Sequence, residues 1–337
     1  MIDMNMIKEI VKAYGPSGRE EQVALVIRSF VEPLVDEVYT DALGNLIAHK
    51  KGISGKKLMF IAHMDQIGLV VTDIDDNGFL RVANVGGVSP AMFSARAVRF
   101  ENGVRGVTHF ETQDVGFMNP GKTTVGQLFI DIGAASKEEA EELVGLGDMA
   151  VVEAEFLDLG KRISCGAMDN RICCAAVVEA LKDMKSDHDI YAVFSVQEEV
   201  GIRGAGAAAY AIQPDLCINL DVTLYGDTPK CVPMAMKLGR GAAVKIMDAS
   251  VIVAPVVYTW LEDVAKKNDI PYQRDVMRMG GTDTSAVQKS RGGVLVGGIS
   301  IPLRYMHSPV ETADKSDFEA AASLLRAAAM EKELPHR

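Results

Sequence analysis

The sequence has no run of lysine and arginine, no stretch of about 18 uncharged apolar residues, and no cysteine pair at C-x-x-C spacing. Each absence excludes something. Without a basic run, a formal net charge of −11 repels phosphates, which disfavours a general nucleic-acid or anionic-membrane binder and leaves a small molecule or peptide as the expected partner. Without an apolar span no membrane-crossing helix is expected. The N-terminal MIDMNMIKEIVKAYG carries Asp3 where an export signal would be basic and then apolar. Five scattered cysteines, an odd number, make a poor disulfide framework and fit a reducing cytoplasm. What is present is a chain of 337 residues, 48% hydrophobic and 24% charged, long enough for two domains or one large elaborated one.

The patterning divides the chain. In GPSGREEQVALVIRSFVEP, Ser17 and Glu20 have capping-box spacing, and Val23, Ile27 and Val31 recur at helical spacing up to Pro33. VDEVYT and NLIAHK read as short strands, and KKLMFIAHMDQIGLVV as an apolar strand running into His63 and Asp65. The following region is rich in short strands and glycines, with two Asn-Gly hairpin signals in DIDDNGFLRV and VRFENGVRGV, and one helix opened by Ser136 and Glu139. After Cys165, helices and strands alternate to the end of the chain. That alternation predicts an α/β fold, a parallel-rich mixed sheet covered by helices, with an inserted small β-rich domain. The boundaries expected are residues 1–66 and 160–337 for the α/β domain and 67–159 for the insertion.

Polar residues able to hold a metal sit at the strand ends: His63 and Asp65, Glu198 and Glu199 after IYAVFSVQ, Asp221 after LCINL, and His307 after GVLVGGISI. Asp169 stands at the start of a helix. Strand ends in one parallel sheet converge on one edge, so these distant segments can meet. Oxygen and imidazole donors without cysteine suit catalytic zinc, cobalt or manganese. Two metals about 3.5–4 Å apart need a bridging carboxylate, two private ligands each and a base for the water. His63, Asp169, Glu199, Asp221, His307 and Glu198 are enough for five ligands and one base. Adjacent side chains of an extended segment point to opposite faces, so Glu198 and Glu199 are expected to differ in role.

Plainer readings compete at each position. Asp169 alone reads as a helix N-cap, Asp221 as a turn former, and His63 and His307 as interior hydrogen-bonded histidines. His49, His109, His188 and His336 carry no assigned role. The Gly280-Gly281 pair reads better as a plain loop than as an anion cradle, and Cys173-Cys174 as small core residues.

Taken together, AHMDQIG, GAMDNR, VQEEVGIRGA, LDVTLYGDTP, GGTDTSAV and ISIPLRYMHSPVE resemble, in order and over most of the chain, the tetrahedral aminopeptidases, the glutamyl aminopeptidase and FrvX-like family once often labelled endoglucanases. The resemblance implies His63, Asp169 and Asp221 around one metal and Asp169, Glu199 and His307 around a second, with Asp169 bridging. It makes Glu198 the general base and Asp65 the partner that fixes the His63 ring. It further implies two zinc or cobalt ions, removal of N-terminal residues from short peptides, an inserted β domain, and dimers that build a twelve-subunit tetrahedral shell. Three departures from the family stand out: Gln66 where Glu is common, Asn170 where Asp is common, and Thr284-Ser285 in place of smaller residues. Asn caps a helix about as well as Asp, so little is expected from the second.

The function expected is thus a cytoplasmic di-metal aminopeptidase. The rivals are a metal-independent glycoside hydrolase, which needs two carboxyl groups across a sugar ring, and a non-catalytic oligomeric metal-binding protein.

Overall fold

A computed structural model describes residues 2–111 and 123–336. The chain starts with helices α1 (Met4–Lys12) and α2 (Glu21–Val31) and strands β1 (Glu37–Thr40), β2 (Leu46–Lys50) and β3 (Lys57–His63). Asp3 caps α1 by accepting from the Met6 amide at 3.0 Å. The capping box expected at Ser17 and Glu20 does not form, because both side chains are taken by other partners. The Ser17 hydroxyl donates to Asp65 at 2.6 Å, while Glu20 accepts from the amides of Gly18 and Gln197. Helix α2 begins beyond them, at Glu21.

A closed six-stranded antiparallel barrel follows, made of β4 (Gly68–Ile74), β5 (Leu80–Val85), β6 (Ala97–Phe100), β7 (Arg105–Phe110), β8 (Leu128–Asp131) and β9 (Met149–Val152). Both Asn-Gly pairs turn hairpins as their chemistry predicts: Gly78 (φ +84°) joins β4 to β5, and Gly103 (φ +89°) joins β6 to β7. Short helices α3 (Pro90–Phe93) and α4 (Lys137–Glu141) flank it. Ser136 accepts from the Glu139 amide, and Glu139 reaches back to the amide of Ala135, one residue beyond the expected partner. Leu69, Val98, Leu128 and Ile130 fill the barrel, which therefore has its own core.

The rest of the chain supplies β10 (Leu157–Asp158), β11 (Arg162–Cys165), α5 (Met168–Leu181), β12 (Asp189–Ser195), α6 (Arg203–Ile212), β13 (Leu216–Thr223), β14 (Ala242–Met247), α7 (Pro255–Lys267), β15 (Tyr272–Val276), α8 (Thr284–Gln288), β16 (Leu295–Arg304), β17 (Glu311–Asp314) and α9 (Lys315–Met330). With β1, β2 and β3 these strands form an eleven-stranded mixed sheet. Its centre, β12-β3-β13-β16, is parallel; β2 and β17 join it antiparallel on either side, and β14 pairs antiparallel with β16 and parallel with β15. The parallel-rich mixed sheet expected from the alternation is present.

Strand β3 shows why the centre holds. Leu58, Phe60 and Ala62 enter the core shared with α1, α5 and α9, while Met59 and Ile61 enter the opposite core against α6 and α8. A strand apolar on both faces is stable only when helices cover both, and truncating a residue such as Phe60 to alanine would cost roughly 3–5 kcal/mol. Cys173 and Cys174 lie fully buried on α5, as the small-core reading expects.

Arg171 carries the exit of β3. Its fully buried guanidinium donates to the carbonyls of Met64, Ala13 and Gly15, tying the end of α1 and the residue after His63 to α5. A buried cation is tolerable only with its donors satisfied, so this network fixes the strand end that carries His63.

Candidate active site

The C-terminal edge of the parallel centre gathers the predicted side chains. His63 closes β3, Glu198 and Glu199 follow β12, Asp221 lies within β13, and His307 follows β16. Asp169 comes from the first residues of α5, where its backbone (φ −72°, ψ 109°) and that of Asn170 are not helical, and a cis peptide joins the two. The N-cap reading of Asp169 is therefore set aside: its carboxylate turns to the two histidines. The capping role expected for Asn170 also fails. Its Nδ2 donates to the Leu220 carbonyl at 2.9 Å, and its buried Oδ1 meets no donor.

Asp169 is the centre of the arrangement. Its Oδ1 lies 3.3 Å from His63 Nε2 and its Oδ2 lies 3.4 Å from His307 Nε2. Donor atoms of His63, Asp169 and Asp221 all lie within 4.8 Å of one another, and so do those of Asp169, Glu199 and His307. The two groups share Asp169, one oxygen to each side.

The adjacent glutamates face different partners, although the reason differs from the one the sequence suggested. Strand β12 stops at Ser195, and Gln197 is left-handed (φ +56°), so Glu198 and Glu199 leave a turn and not an extended strand. Glu198 Oε2 is 3.9 Å from His63 Nε2, and Glu199 Oε2 is 3.4 Å from His307 Nε2.

Asp65 holds this turn in place. One carboxylate oxygen lies 3.3 Å from His63 Nδ1 and accepts from the Glu198 amide. The other accepts from Ser17 and from the Glu199 amide. Asp65 thus orients one histidine and the backbone of both glutamates.

Glu311 was not singled out by sequence reasoning. It accepts from the amides of Asp169 at 2.9 Å and His307 at 2.7 Å, clamping two of the convergent residues. Its signal in the sequence was only its place in HSPVE, four residues after His307. The barrel contributes as well: the Gly87 carbonyl lies 2.9 Å from His307 Nδ1.

Electrostatics set the chemistry. Burial, against attraction to His63 and with repulsion from neighbouring carboxylates, raises Glu198 to about 10 and Asp221 to about 8. Burial raises Glu199 and, with the help of Asp169, Glu311, the latter to about 8. Burial alone would lower both imidazoles, but hydrogen bonds, with Asp169 and Asp65 for His63 and with Asp169 and Glu199 for His307, outweigh it and raise them. Against burial, the same two histidines pull Asp169 well below the usual carboxylate range. Acids crowded this closely resist ionising together, and divalent cations would relieve the repulsion. The donor set, imidazole and carboxylate without thiolate, fits such cations.

The site opens on one side into a cavity of about 460 Å³ that reaches Met277 and Met279. On the other side, toward Gln66 and Phe93, the space is about 30 Å³. Gly280 and Gly281 sit on a loop that borders the larger cavity, and Thr284 and Ser285 are buried at the start of α8.

The profile of the M42 glutamyl aminopeptidase family matches residues 44–324. A protein of Acetivibrio thermocellus provisionally named an aminopeptidase is 47% identical, over 95% of this chain and 96% of its own length. The lysyl aminopeptidase of Pyrococcus furiosus is 39% identical, over 97% of this chain and 96% of its own. Among solved structures, the Pyrococcus horikoshii TET1 peptidase, described as assembling into a tetrahedron or a large octahedral shell, superposes with a TM-score of 0.88 at 34% identity, over 97% of this chain and 99% of that one. The expected resemblance holds over nearly the whole chain, which belongs to the M42 glutamyl aminopeptidase family and is a peptidase hydrolase of the aminopeptidase type.

Proposed function

We propose that this aminopeptidase works through two divalent cations, zinc or cobalt, with His63, Asp169 and Asp221 holding one and Asp169, Glu199 and His307 the other. The observation that carries the reading is the shared Asp169, which offers Oδ1 toward His63 and Oδ2 toward His307. When bound, the two cations supply Lewis acidity to a water and to the scissile carbonyl.

The chain supplies the rest. Glu198 takes the proton from the attacking water and delivers it to the leaving amine. Its Oε2 lies 3.9 Å from His63 Nε2, beside the proposed ligands, which supports this role. Asp65 keeps His63 in one orientation and, through the backbone, sets where Glu198 stands. Glu311 does the same for Asp169 and His307.

Short peptides are the substrates of this reading, cleaved one residue at a time from the N-terminus in the cytoplasm. Residues 1–66 and 160–337 form the catalytic domain and 67–159 the inserted one, whose roles are substrate access and assembly of dimers into a twelve-subunit shell. The contact of Gly87 with His307 supports the access role, and the assembly described for the Pyrococcus horikoshii relative supports the second. The di-metal reading is preferred to the metal-independent glycoside hydrolase and to the non-catalytic shell protein because Asp169 joins two groups of imidazole and carboxylate donors.

The test is Glu198→Gln. Peptidase activity should fall by roughly 100-fold or more, the usual contribution of a positioned acid-base group, while two equivalents of metal remain bound. Cleavage of aminoacyl substrates at a near wild-type rate would remove Glu198 as the base.

A further inference from the structure

We infer that the large cavity beside the site receives the side chain of the N-terminal residue and selects uncharged apolar chains of methionine or leucine size, with Met277 and Met279 setting the preference. The inference rests on the aminopeptidase reading above.

An exopeptidase must enclose its terminal residue, while the remainder of the peptide leaves toward solvent. Of the two spaces that the convergent side chains border among the described residues, the one toward Gln66 and Phe93 is about 30 Å³, whereas the cavity of about 460 Å³ opens directly from His63, Glu198 and Asp221 and has the room for a side chain.

The walls of that cavity decide what fits. Away from the convergent acids and histidines they are Ile202, Leu224, Met277, Met279 and Met306. Among the described residues neither lysine nor arginine lines the cavity, so a glutamyl or aspartyl side chain would be buried without a cation from them. A lysyl side chain meets the mirror problem, because every carboxylate that the described residues bring to the lining is a proposed metal ligand or the proposed base. The Thr282 hydroxyl is the remaining polar side chain among the described residues, and it is already engaged with Asp248 and Thr284.

The two methionines are placed for different tasks. Met277 is buried and forms the floor; its sulfur lies 3.7 Å from the Thr223 hydroxyl, which also donates to Asp275 at 3.0 Å. Met279 is 64% exposed and forms the rim, where a flexible thioether can close over an incoming chain. A pliant apolar wall of this kind suits an unbranched or γ-branched side chain.

The experiment uses the metal-loaded full-length enzyme and a panel of aminoacyl p-nitroanilides carrying Met, Leu, Ala, Val, Glu and Lys. The Met and Leu substrates should exceed the Glu and Lys substrates in kcat/KM by at least about 100-fold, the discrimination expected when a buried charge lacks a partner. In Met279→Glu the ratio of Lys to Met substrates should rise by at least about 10-fold, because the rim then offers a carboxylate. A Glu or Lys substrate cleaved best by the wild type overturns the inference and leaves the di-metal reading standing. An unchanged ratio in Met279→Glu removes Met279 from the selectivity. The base assignment fails separately, through an active Glu198→Gln whose substrate order is still that of the wild type.

Discussion

At the scale of single residues, the site depends on atoms that hold the convergent side chains as much as on those side chains themselves. Gly87 is the sharpest case. A Cβ at this position would stand 2.7 Å from His307 Nδ1, closer than any ordinary contact. Its carbonyl also lies within hydrogen-bonding distance of that ring nitrogen. Gly87→Ala should therefore turn the His307 ring and weaken metal binding or activity by about 10–100-fold, the usual effect of disturbing a partner behind a ligand. Because the position lies on a loop after β5 and in none of the three cores, the unfolding midpoint in urea should scarcely move. Metal titration and denaturation on the same variant check both halves, and full metal affinity in Gly87→Ala would show that the ring tolerates the contact.

At the scale of elements, what could be read from the sequence follows how locally each signal is determined. Strands β3, β12, β13 and β16 were legible because each is an apolar run ending in a polar residue, and helices on both faces explain why the run is unbroken. Strands β14 and β15 were not anticipated, since charges interrupt the apolar pattern, one in GAAVKIM and two in YQRDV. The fold pairs one from each strand, while Arg274 turns to Glu262: Lys245 and Asp275 are fully buried neighbours across β14 and β15, with Nζ 2.9 Å from Oδ2. Ser17 misled for a similar reason, because capping-box spacing is local while its partner Asp65 lies 48 residues away. Glu311 stayed invisible because its role is to receive two amides, which no spacing rule announces. The buried pair gives a prediction at this scale. Removing one charge, as in Lys245→Met, leaves the other unpaired in the core and should cost about 3–5 kcal/mol, whereas Lys245→Met combined with Asp275→Leu should be near neutral or stabilising. A double-mutant cycle by urea denaturation measures this. Additive losses would mean that the two charges do not depend on each other.

At the scale of the whole molecule, the convergent acids and histidines link stability to pH and to metal. In the metal-free fold Glu198 (about 10), Asp221 and Glu311 (about 8 each) bind protons more tightly than their unfolded counterparts. The His63 and His307 imidazoles are raised as well. For every one of these groups the folded value lies above the unfolded one, so its stabilising contribution is complete below the unfolded value and is lost as pH rises through the folded value. Asp65 and Asp169 are lowered and have the opposite sign, but their contribution is already complete above the ordinary aspartate range, and between pH 6 and 8 it is constant. The metal-free protein should thus lose stability across that window, by about 1.4 kcal/mol per pH unit for each proton the fold holds in excess. Cations bound as proposed would take the place of those protons, and their affinity should rise with pH because the ligands must be deprotonated. The difference in unfolding temperature between the metal-loaded and chelator-treated protein should therefore widen from pH 6 to pH 8. Differential scanning calorimetry at the two pH values, with and without chelator, reads it directly. A difference that stays the same or narrows would mean that the groups gathered around Asp169 do not exchange protons for metal.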